Sequence, residues 1–295
     1  MRIGYPCINR SIGCTANSTF RLASYSEELL IEKVENNLNC LQRILEYNLK
    51  NGLLFFRISS DIVPFASHPV CTFNWGRHFG PGFRRIGAFI KKHRMRISMH
   101  PDQFILLNSP RKEVVERSIL ELDYHRKVLD LMELDATAKI QIHLGGAYGN
   151  KRKAMEKFVS AYLTLDQKTR KRLVIENDDR LFSLQDCISV HEKTGIPLLF
   201  DGFHHECLNN GEGVRKAVMS AESTWRRKDG VLMADYSSQE KGMRKGKHAE
   251  HIDISHFRRF IREADGVDLD IMLEIKDKEK SALKAIGVLR AMGRL

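Results

Sequence analysis

The sequence predicts a closed (β/α)8 barrel, a TIM barrel, that forms a single domain over residues 1–295. Eight short apolar segments alternate with helical segments, and eight such parallel strand–helix units are the number that closes a barrel. Polar and apolar residues hardly alternate within the segments, which is typical of strands covered on both faces. An open, doubly wound sheet is the alternative. The chain lacks a composition break that would mark a linker, so we expect one domain.

The predicted strands share a richness in Ile, Leu, Val and Phe. They are Arg2–Cys7, Leu53–Ser59, Arg96–His100, Lys139–His143, Arg172–Glu176, Pro197–Asp201, Val231–Tyr236 and Asp270–Ile275. Ser26 can cap the first helix, which ends at Asn51-Gly52, and Ser109-Pro110 is a typical start of another. Most of the other helical segments are Lys151–Thr169, Ser183–Thr194, Ile254–Ala264 and Lys278–Met292.

The charge of the chain favours a polyanionic partner. Lys and Arg number 48 against 37 Asp and Glu, a formal net charge of +11. Such a surplus fits nucleic acid, an anionic membrane surface or a phosphorylated substrate. No apolar run approaches the ~18 residues of a membrane span, and the N-terminus does not resemble a signal peptide, so we expect a cytoplasmic protein. The six cysteines form no CxxC pair, and we expect reduced thiols.

Histidines and carboxylates cluster at the predicted strand ends, where barrel enzymes carry their chemistry. These candidates are His100, His143, Glu176, Asp201, His204, Asp235 and Glu274. Converging carboxylates repel one another unless cations neutralise them. Mixed His and carboxylate ligands suit Mn²⁺, Zn²⁺, Fe²⁺ or Co²⁺ better than Mg²⁺ alone. We therefore predict two or three divalent ions, with Glu176 and Glu274 as bridging carboxylates and Asp201-x-x-His204 placing two ligands on one turn.

Metals in a basic protein indicate phosphodiester hydrolysis. The loops 60–82 and 237–253 are predicted to be long and to lie on the catalytic face. His68 lies on the first and can reach the metals, as can one of His248 and His251 on the second. Basic stretches that can contact phosphates include 84–85, 91–94, 226–228 and 241–247.

Several motifs in one order carry a family resemblance. They are Arg2-Ile3-Gly4-Tyr5 with Asn9, Phe56-Arg57-Ile58-Ser59-Ser60-Asp61, His100-Pro101-Asp102-Gln103-Phe104, His143-Leu144-Gly145-Gly146, Glu176-Asn177-Asp178-Asp179, Asp201-Gly202-Phe203-His204-His205, Tyr236-Ser237-Ser238-Gln239 and Met272-Leu273-Glu274. In these segments the chain resembles the UV damage endonucleases, from Arg2 to about Glu279. That family is similar in architecture to the endonuclease IV class of abasic-site enzymes.

The resemblance implies a metal-dependent DNA repair endonuclease. Its implied metal ligands are His68, His100, His143, Glu176, Asp201, His204, His248 and Glu274, with Mn²⁺ as the metal. Among these, Glu176, Glu274, His100 and His143 are the expected catalytic residues. Gln103-Phe104 is implied to form a wedge in the duplex, and Tyr5 and Asn9 to line the pocket for the flipped lesion. We expect a monomer that nicks UV-damaged double-stranded DNA immediately 5′ to pyrimidine dimers, 6-4 photoproducts and abasic sites, leaving a 3′-hydroxyl and a 5′-phosphate.

The chain departs from the family in the seventh strand. The family usually reads Lys-x-His-Tyr-Ser there, whereas this chain has Met233 and Asp235 at the Lys and His positions. Methionine is a poor ligand for a hard ion, but Asp235 can still ligate. This departure leaves open a DNA-binding module without catalysis. Two further alternatives are an abasic-site endonuclease of the endonuclease IV type and a divalent-metal sugar isomerase on the same barrel.

Overall fold

The structure, a computed structural model, describes residues 1–101 and 105–295. Eight parallel strands pair in chain order, and the last pairs with the first to close a barrel. The strands are β1 Ile3–Pro6, β2 Phe55–Ile58, β3 Arg96–Met99, β4 Lys139–His143, β5 Leu173–Glu176, β6 Leu198–Asp201, β7 Leu232–Tyr236 and β8 Leu269–Leu273. The predicted (β/α)8 class is confirmed, and each predicted strand overlaps an observed one.

The helices surround the barrel. They are α1 Glu27–Lys50, α2 Trp75–Lys92, α3 Lys112–Leu131, α4 Lys151–Thr164, α5 Gln167–Arg172, α6 Leu184–Thr194, α7 Gly202–Cys207, α8 Val214–Glu222, α9 Ile254–Glu263 and α10 Glu279–Ala291. Ser26 caps α1 as predicted, its hydroxyl accepting a hydrogen bond from the Leu29 amide at 3.2 Å. The predicted loop 60–82 is too long, because the Asn74 side chain caps α2 and the helix begins at Trp75.

The interior of the barrel is built in layers, since every second residue of a strand points inward. Between the two ends lies a buried apolar cluster of Phe55, Val174, Leu199, Met233 and Met272. Met233 is fully buried there. The layer below, at the amino ends of the strands, contains buried ion pairs, and the layer above contains the functional candidates.

Two cysteines correct the expectation of reduced thiols. Cys14 and Cys40 form a disulfide with a Cα–Cα distance of 5.9 Å, which ties the segment after β1 to α1. Among the described residues, Cys7, Cys71, Cys187 and Cys207 are free thiols. In the same part of the chain, none of the helices combines the length and apolar character that crossing a bilayer requires.

Candidate metal centre

The upper layer brings six predicted residues to one end of the barrel. Strand register sets their spacing: His143 lies beside Glu176, and Asp201 lies beside Asp235. His100 directly follows β3, and Glu274 directly follows β8. Parallel strands all end at this face, so side chains that are far apart in the sequence meet there.

Glu176 lies at the middle of a histidine cluster. Its Oε2 atom is 3.7 Å from His100 Nε2 and 3.7 Å from His143 Nε2, and its Oε1 atom is 3.0 Å from His204 Nδ1. The two 3.7 Å separations are too long for hydrogen bonds. They are close to the separation of two ligands that share an ion through bonds of about 2.1 Å.

Asp201 and His204 lie on one turn, as the sequence predicts. The helix α7 begins directly after Asp201, whose Oδ1 atom accepts a hydrogen bond from the His204 amide at 2.7 Å. The same turn directs the His204 ring to the Asn177 carbonyl, 3.0 Å from Nδ1, and to Glu176. Local helix geometry therefore fixes the orientation of both side chains.

Arg57 is a functional candidate that the sequence reasoning missed. Its buried guanidinium pairs with Asp235 Oδ2 at 2.7 Å and also with Glu274. Gln141 joins this network: its Oε1 accepts from Arg57 Nη2 at 2.7 Å, and its Nε2 donates to Asp235 Oδ2 at 2.6 Å and to Glu176. A detectable signal exists: Arg57 is the one polar residue of β2, and Gln141 is in phase with Lys139 and His143 on β4.

The electrostatics indicate a centre that needs positive charge. Burial raises the pKa of Asp201 to about 7, with repulsion from Glu176 adding to it and His204 opposing it. Burial also raises the pKa of Asp235 well above its usual range, despite Arg57. Burial alone would lower the pKa of His204, but Asp201 and Glu176 outweigh it and raise the value to about 12. Cations at the centre would relieve this repulsion.

The donor atoms fit divalent metal ions. Among the described residues, three groups place their ligand atoms within 4.8 Å of one another: His100, His143 and Glu176; Glu176, Asp201 and His204; and Asp201, Asp235 and Glu274. Asp201 Oδ2 and Asp235 Oδ1 are buried and accept no hydrogen bond within the described chain, although His204 Nδ1 lies 3.5 Å from Asp201 Oδ2. A buried carboxylate oxygen without a partner is costly, and a bound cation would satisfy it.

Three other histidines lie at different distances from this centre. His68 is exposed, and its Nδ1 accepts a hydrogen bond from the Val70 amide at 3.1 Å. His248 faces the centre: its ring lies 6.0 Å from the ring of His204, and its Nδ1 is 2.9 Å from the Glu274 carbonyl. The side chain of His251 is 72% exposed and pairs with Asp277. Of the two histidines after β7, His248 rather than His251 therefore lies close enough to bind a metal ion. Metal binding by His248, and by His68, stays a prediction.

The predicted lesion-binding residues divide into two pairs. Tyr5 and Asn9 are buried: Tyr5 Oη donates to Asn48 Oδ1 at 2.6 Å and accepts from Asn9 Nδ2 at 2.7 Å. Contact with a DNA base would require this pair to become accessible. Gln103 and Phe104 lie outside the described residues.

Most of the predicted basic stretches lie away from the centre. Residues 84–85 are on α2, 91–94 are at its carboxyl end, and 226–228 precede β7, so these three stretches lie on the sides or at the opposite end of the barrel. The stretch 241–247 follows β7 and therefore lies at the carboxyl end of the barrel, as the metal centre does. There the Glu240 amide donates to the Lys247 carbonyl at 2.8 Å, and Gln239 pairs with His248 in a short antiparallel bridge. We call residues 239–248 the basic hairpin.

Comparisons with known proteins find relatives that share the whole chain. The model of a family described as UV-endonuclease UvdE matches residues 1–294. A UV DNA damage endonuclease of Clostridium perfringens (strain 13 / Type A) is 38% identical over 296 residues, covering 100% of this chain and 72% of that protein. The crystal structure of SacUVDE is 48% identical with a TM-score of 0.96 and covers 100% of both chains. Endonuclease IV from Thermus thermophilus is 16% identical with a TM-score of 0.57, covering 85% of this chain and 93% of that one, and shares the fold alone.

Proposed function

This chain belongs to the UV-endonuclease family, and from that premise we propose that it nicks UV-damaged double-stranded DNA in a metal-dependent reaction. It is a DNA endonuclease and therefore a phosphodiester hydrolase. The cut falls immediately 5′ to pyrimidine dimers, 6-4 photoproducts and abasic sites, leaving a 3′-hydroxyl and a 5′-phosphate. One catalytic domain over residues 1–295 acts as a monomer. The observation that supports this most is the convergence of three histidines on the buried carboxylate of Glu176.

Divalent metal ions complete the centre. Mn²⁺ is the proposed ion, held by residues from the three ligand groups together with His68 and His248. When bound, such ions lower the pKa of a water molecule and stabilise negative charge on the scissile phosphate. The neutral imidazole is the ligating form of histidine, and burial lowers the pKa of His100 to about 3, which favours that form.

Side chains around the centre fix the positions of its carboxylates and offset part of their negative charge. Glu176 lies among three histidines, 3.0 Å from His204 Nδ1 and 3.7 Å from the Nε2 atoms of His100 and His143. Glu274, directly after β8, is the second proposed bridging carboxylate. Arg57 and Gln141 anchor the Asp235 and Glu274 carboxylates from below, so that these carboxylates cannot turn away from the centre. With divalent ions held by these fixed carboxylates, the centre would bind the phosphodiester in one orientation.

Contacts outside the centre position the DNA. Lys241, Arg244 and Lys245 are exposed on the basic hairpin and bind backbone phosphates. Tyr5 and Asn9 contact the flipped lesion, and Gln103 and Phe104 fill the gap it leaves in the stack. A lesion that already stacks poorly costs less to flip, which supplies part of the selectivity.

A nicking assay tests this function. Purified protein with Mn²⁺ is given duplexes that carry one pyrimidine dimer, one abasic site or no damage, and the ends are mapped. We expect a single nick immediately 5′ to the dimer, lost on chelation. Cleavage of the abasic duplex alone would instead indicate an abasic-site endonuclease.

The salt dependence of DNA binding is a second test. With about six phosphate contacts, the slope of the logarithm of the binding constant against the logarithm of the salt concentration should be about −5. A slope near zero would indicate a small-molecule substrate such as a sugar.

A further inference from the structure

A buried carboxylate outside the metal centre holds the loop that follows β1. Glu279 is the first residue of α10 and is fully buried. Its Oε2 atom accepts a hydrogen bond from the Arg10 amide at 3.0 Å, and its Oε1 atom accepts one from the Ser11 hydroxyl at 2.6 Å. One carboxylate therefore fixes two consecutive residues that lie 269 and 268 positions away along the chain.

The two fixed residues directly follow Asn9, which is proposed to contact the lesion. The Asn9 side chain is held at both ends: Nδ2 donates to Tyr5 Oη at 2.7 Å, and Oδ1 accepts from the Ser11 amide at 2.8 Å. A carboxamide has two N–H donors and two lone pairs on its oxygen. Within the described part of the chain, one N–H and one lone pair of Asn9 are left over. These are the groups that the Watson–Crick edge of a flipped thymine would bind.

The backbone on both sides of this contact is strained. Cys7, two residues before Asn9, has a φ of 69°, and Lys278, directly before Glu279, has a φ of 57°. Residues other than glycine rarely adopt this left-handed region, and they keep it only where surrounding contacts hold them there. Strain of this kind is concentrated at binding and catalytic sites.

The bonds to Glu279 are of the strong kind. Hydrogen bonds to an ionised carboxylate are roughly twice as strong as those between neutral groups. The position of Glu279 in the first turn of α10 also favours its negative charge, because the amino end of a helix carries a partial positive charge. The carboxylate therefore leaves the residues after Asn9 little freedom.

We propose that Glu279 is a positioning residue for lesion recognition, which holds Arg10 and Ser11 so that the Asn9 carboxamide keeps the orientation that meets a flipped pyrimidine. Glu279 is buried and acts through Ser11, whose amide binds Asn9 and whose hydroxyl binds the carboxylate. Asn9 is 2% exposed, so its surroundings must move to admit a base while its own orientation is kept. The inference rests on the proposed function and specifies how its lesion preference is set.

The first test measures the free protein. Hydrogen exchange of the Arg10 amide and the NMR signals of the Asn9 side-chain amide both report the contact. Glu279→Ala should speed this exchange and shift or broaden these signals. Glu279→Gln should preserve both, because its amide can accept from the Arg10 amide and donate to the Ser11 hydroxyl. Unchanged exchange and signals in Glu279→Ala would overturn the proposal.

The second test compares nicking of a dimer duplex with nicking of an abasic duplex, which offers Asn9 no base. Glu279→Ala should lower kcat/KM for the dimer duplex roughly 10- to 100-fold, mainly through KM, and change the abasic reaction less. Glu279→Gln should retain most of the wild-type preference.

Ser281→Ala is the matched control for this comparison. Ser281 is buried on the same helix, and its hydroxyl accepts from the Ile252 amide at 3.0 Å, so the change removes a contact between α10 and a different loop. Its preference for the dimer duplex should equal that of the wild type. An equal loss on both duplexes in Glu279→Ala, or the same loss of preference in Ser281→Ala, would mean that Glu279 serves the fold alone.

A double-variant cycle tests whether Glu279 acts through Asn9. Glu279→Ala combined with Asn9→Ala should nick the dimer duplex as Asn9→Ala alone does, within about 2-fold, whereas independent residues would give additive losses. Additive losses would contradict the proposal. Ser11→Ala removes the hydroxyl contact and leaves α10 intact, so it tests the same contact even if Glu279→Ala does not fold. It should lower the dimer preference by less than Glu279→Ala, and an unchanged preference would also contradict the proposal.

The outcome is separable from that of the proposed function. A wild-type protein that nicks no dimer duplex would refute the function, while the exchange and NMR measurements still decide whether Glu279 holds Asn9. Full dimer preference in a folded Glu279→Ala protein would refute the inference alone.

Discussion

The two ends of the barrel interior both contain buried charges, but they balance them differently. At the amino end, Lys139 Nζ pairs with Asp229 Oδ1 at 2.6 Å, and Arg96 pairs with Asp270 at 3.0 Å. The indole of Trp225 lies against both cations, 5.8 Å from Lys139 Nζ and 5.3 Å from Arg96 Cζ. At the carboxyl end, within the described residues, four inward carboxylates face the single guanidinium of Arg57: Glu176, Asp201, Asp235 and Glu274.

This difference separates a structural layer from a functional one. Ion pairs that satisfy each other need no further ligand, and removing one partner of such a pair destabilises the fold because it leaves a buried charge uncompensated. An excess of one sign in a buried layer is unstable by itself, so it indicates a ligand of the opposite sign. The conclusion agrees with the general rule that barrels carry chemistry at the carboxyl face and stability at the other.

The largest expected effect is on catalysis at the carboxyl end. Glu176→Gln should reduce nicking by more than about 100-fold, because Glu176 contacts three histidines and even residues that only orient metal ligands contribute 10- to 100-fold. Circular dichroism and duplex binding should remain as in the wild type. Near-normal nicking by a metal-loaded Glu176→Gln protein would refute the site assignment.

The corresponding change at the amino end should affect folding instead. Lys139→Met leaves Asp229 buried without its partner and should lower the free energy of unfolding by roughly 3–5 kcal/mol. Urea denaturation measures this, and metal counting checks that the stoichiometry is unchanged. The double variant Lys139→Met with Asp229→Asn should recover part of the loss. A loss of bound metal in Lys139→Met would contradict the separation of the two ends.

The apolar layer between the two ends should contribute packing alone. Met233 is fully buried among Phe55, Val174, Leu199 and Met272. Met233→Ala removes buried side-chain volume and should cost roughly 2–5 kcal/mol of unfolding free energy. Nicking per folded molecule should stay close to that of the wild type, measured below the midpoint of unfolding. A large drop in the rate would mean that position 233 reaches the centre.

The smallest effect is stabilisation by the metal itself. Mn²⁺ at 100 times its Kd should raise the unfolding free energy by about 2.7 kcal/mol, because the ion binds the folded chain alone. The same addition should stabilise Lys139→Met equally and Glu176→Gln less. Thermal unfolding with and without a chelator measures all three proteins. Equal stabilisation of all of them would place the ion outside the described centre.

The sequence by itself predicts the barrel and most of the positions in its upper layer. Local sequence patterns predict the strands and helices: apolar runs such as 173–176 form strands, and Ser26 caps a helix. Their number and alternation select the closed barrel, and position at a strand end marks His143, Glu176 and Asp201. The Asp201-x-x-His204 spacing is also local, since residues three apart lie on one helical turn of 3.6 residues.

Tertiary structure alone decides which of these residues meet and which charges remain unbalanced. Arg57 and Asp235 are 178 positions apart, and only closure of the barrel brings them to 2.7 Å. The placement of the elements likewise separates the basic hairpin from the other basic stretches. Pairing within the loop after β7 and the contact with the Glu274 carbonyl place His248, rather than His251, at the centre. A local pattern cannot encode these outcomes, because strand register and barrel closure set the distances between side chains on different strands. The composition of each group of possible metal ligands follows from those distances.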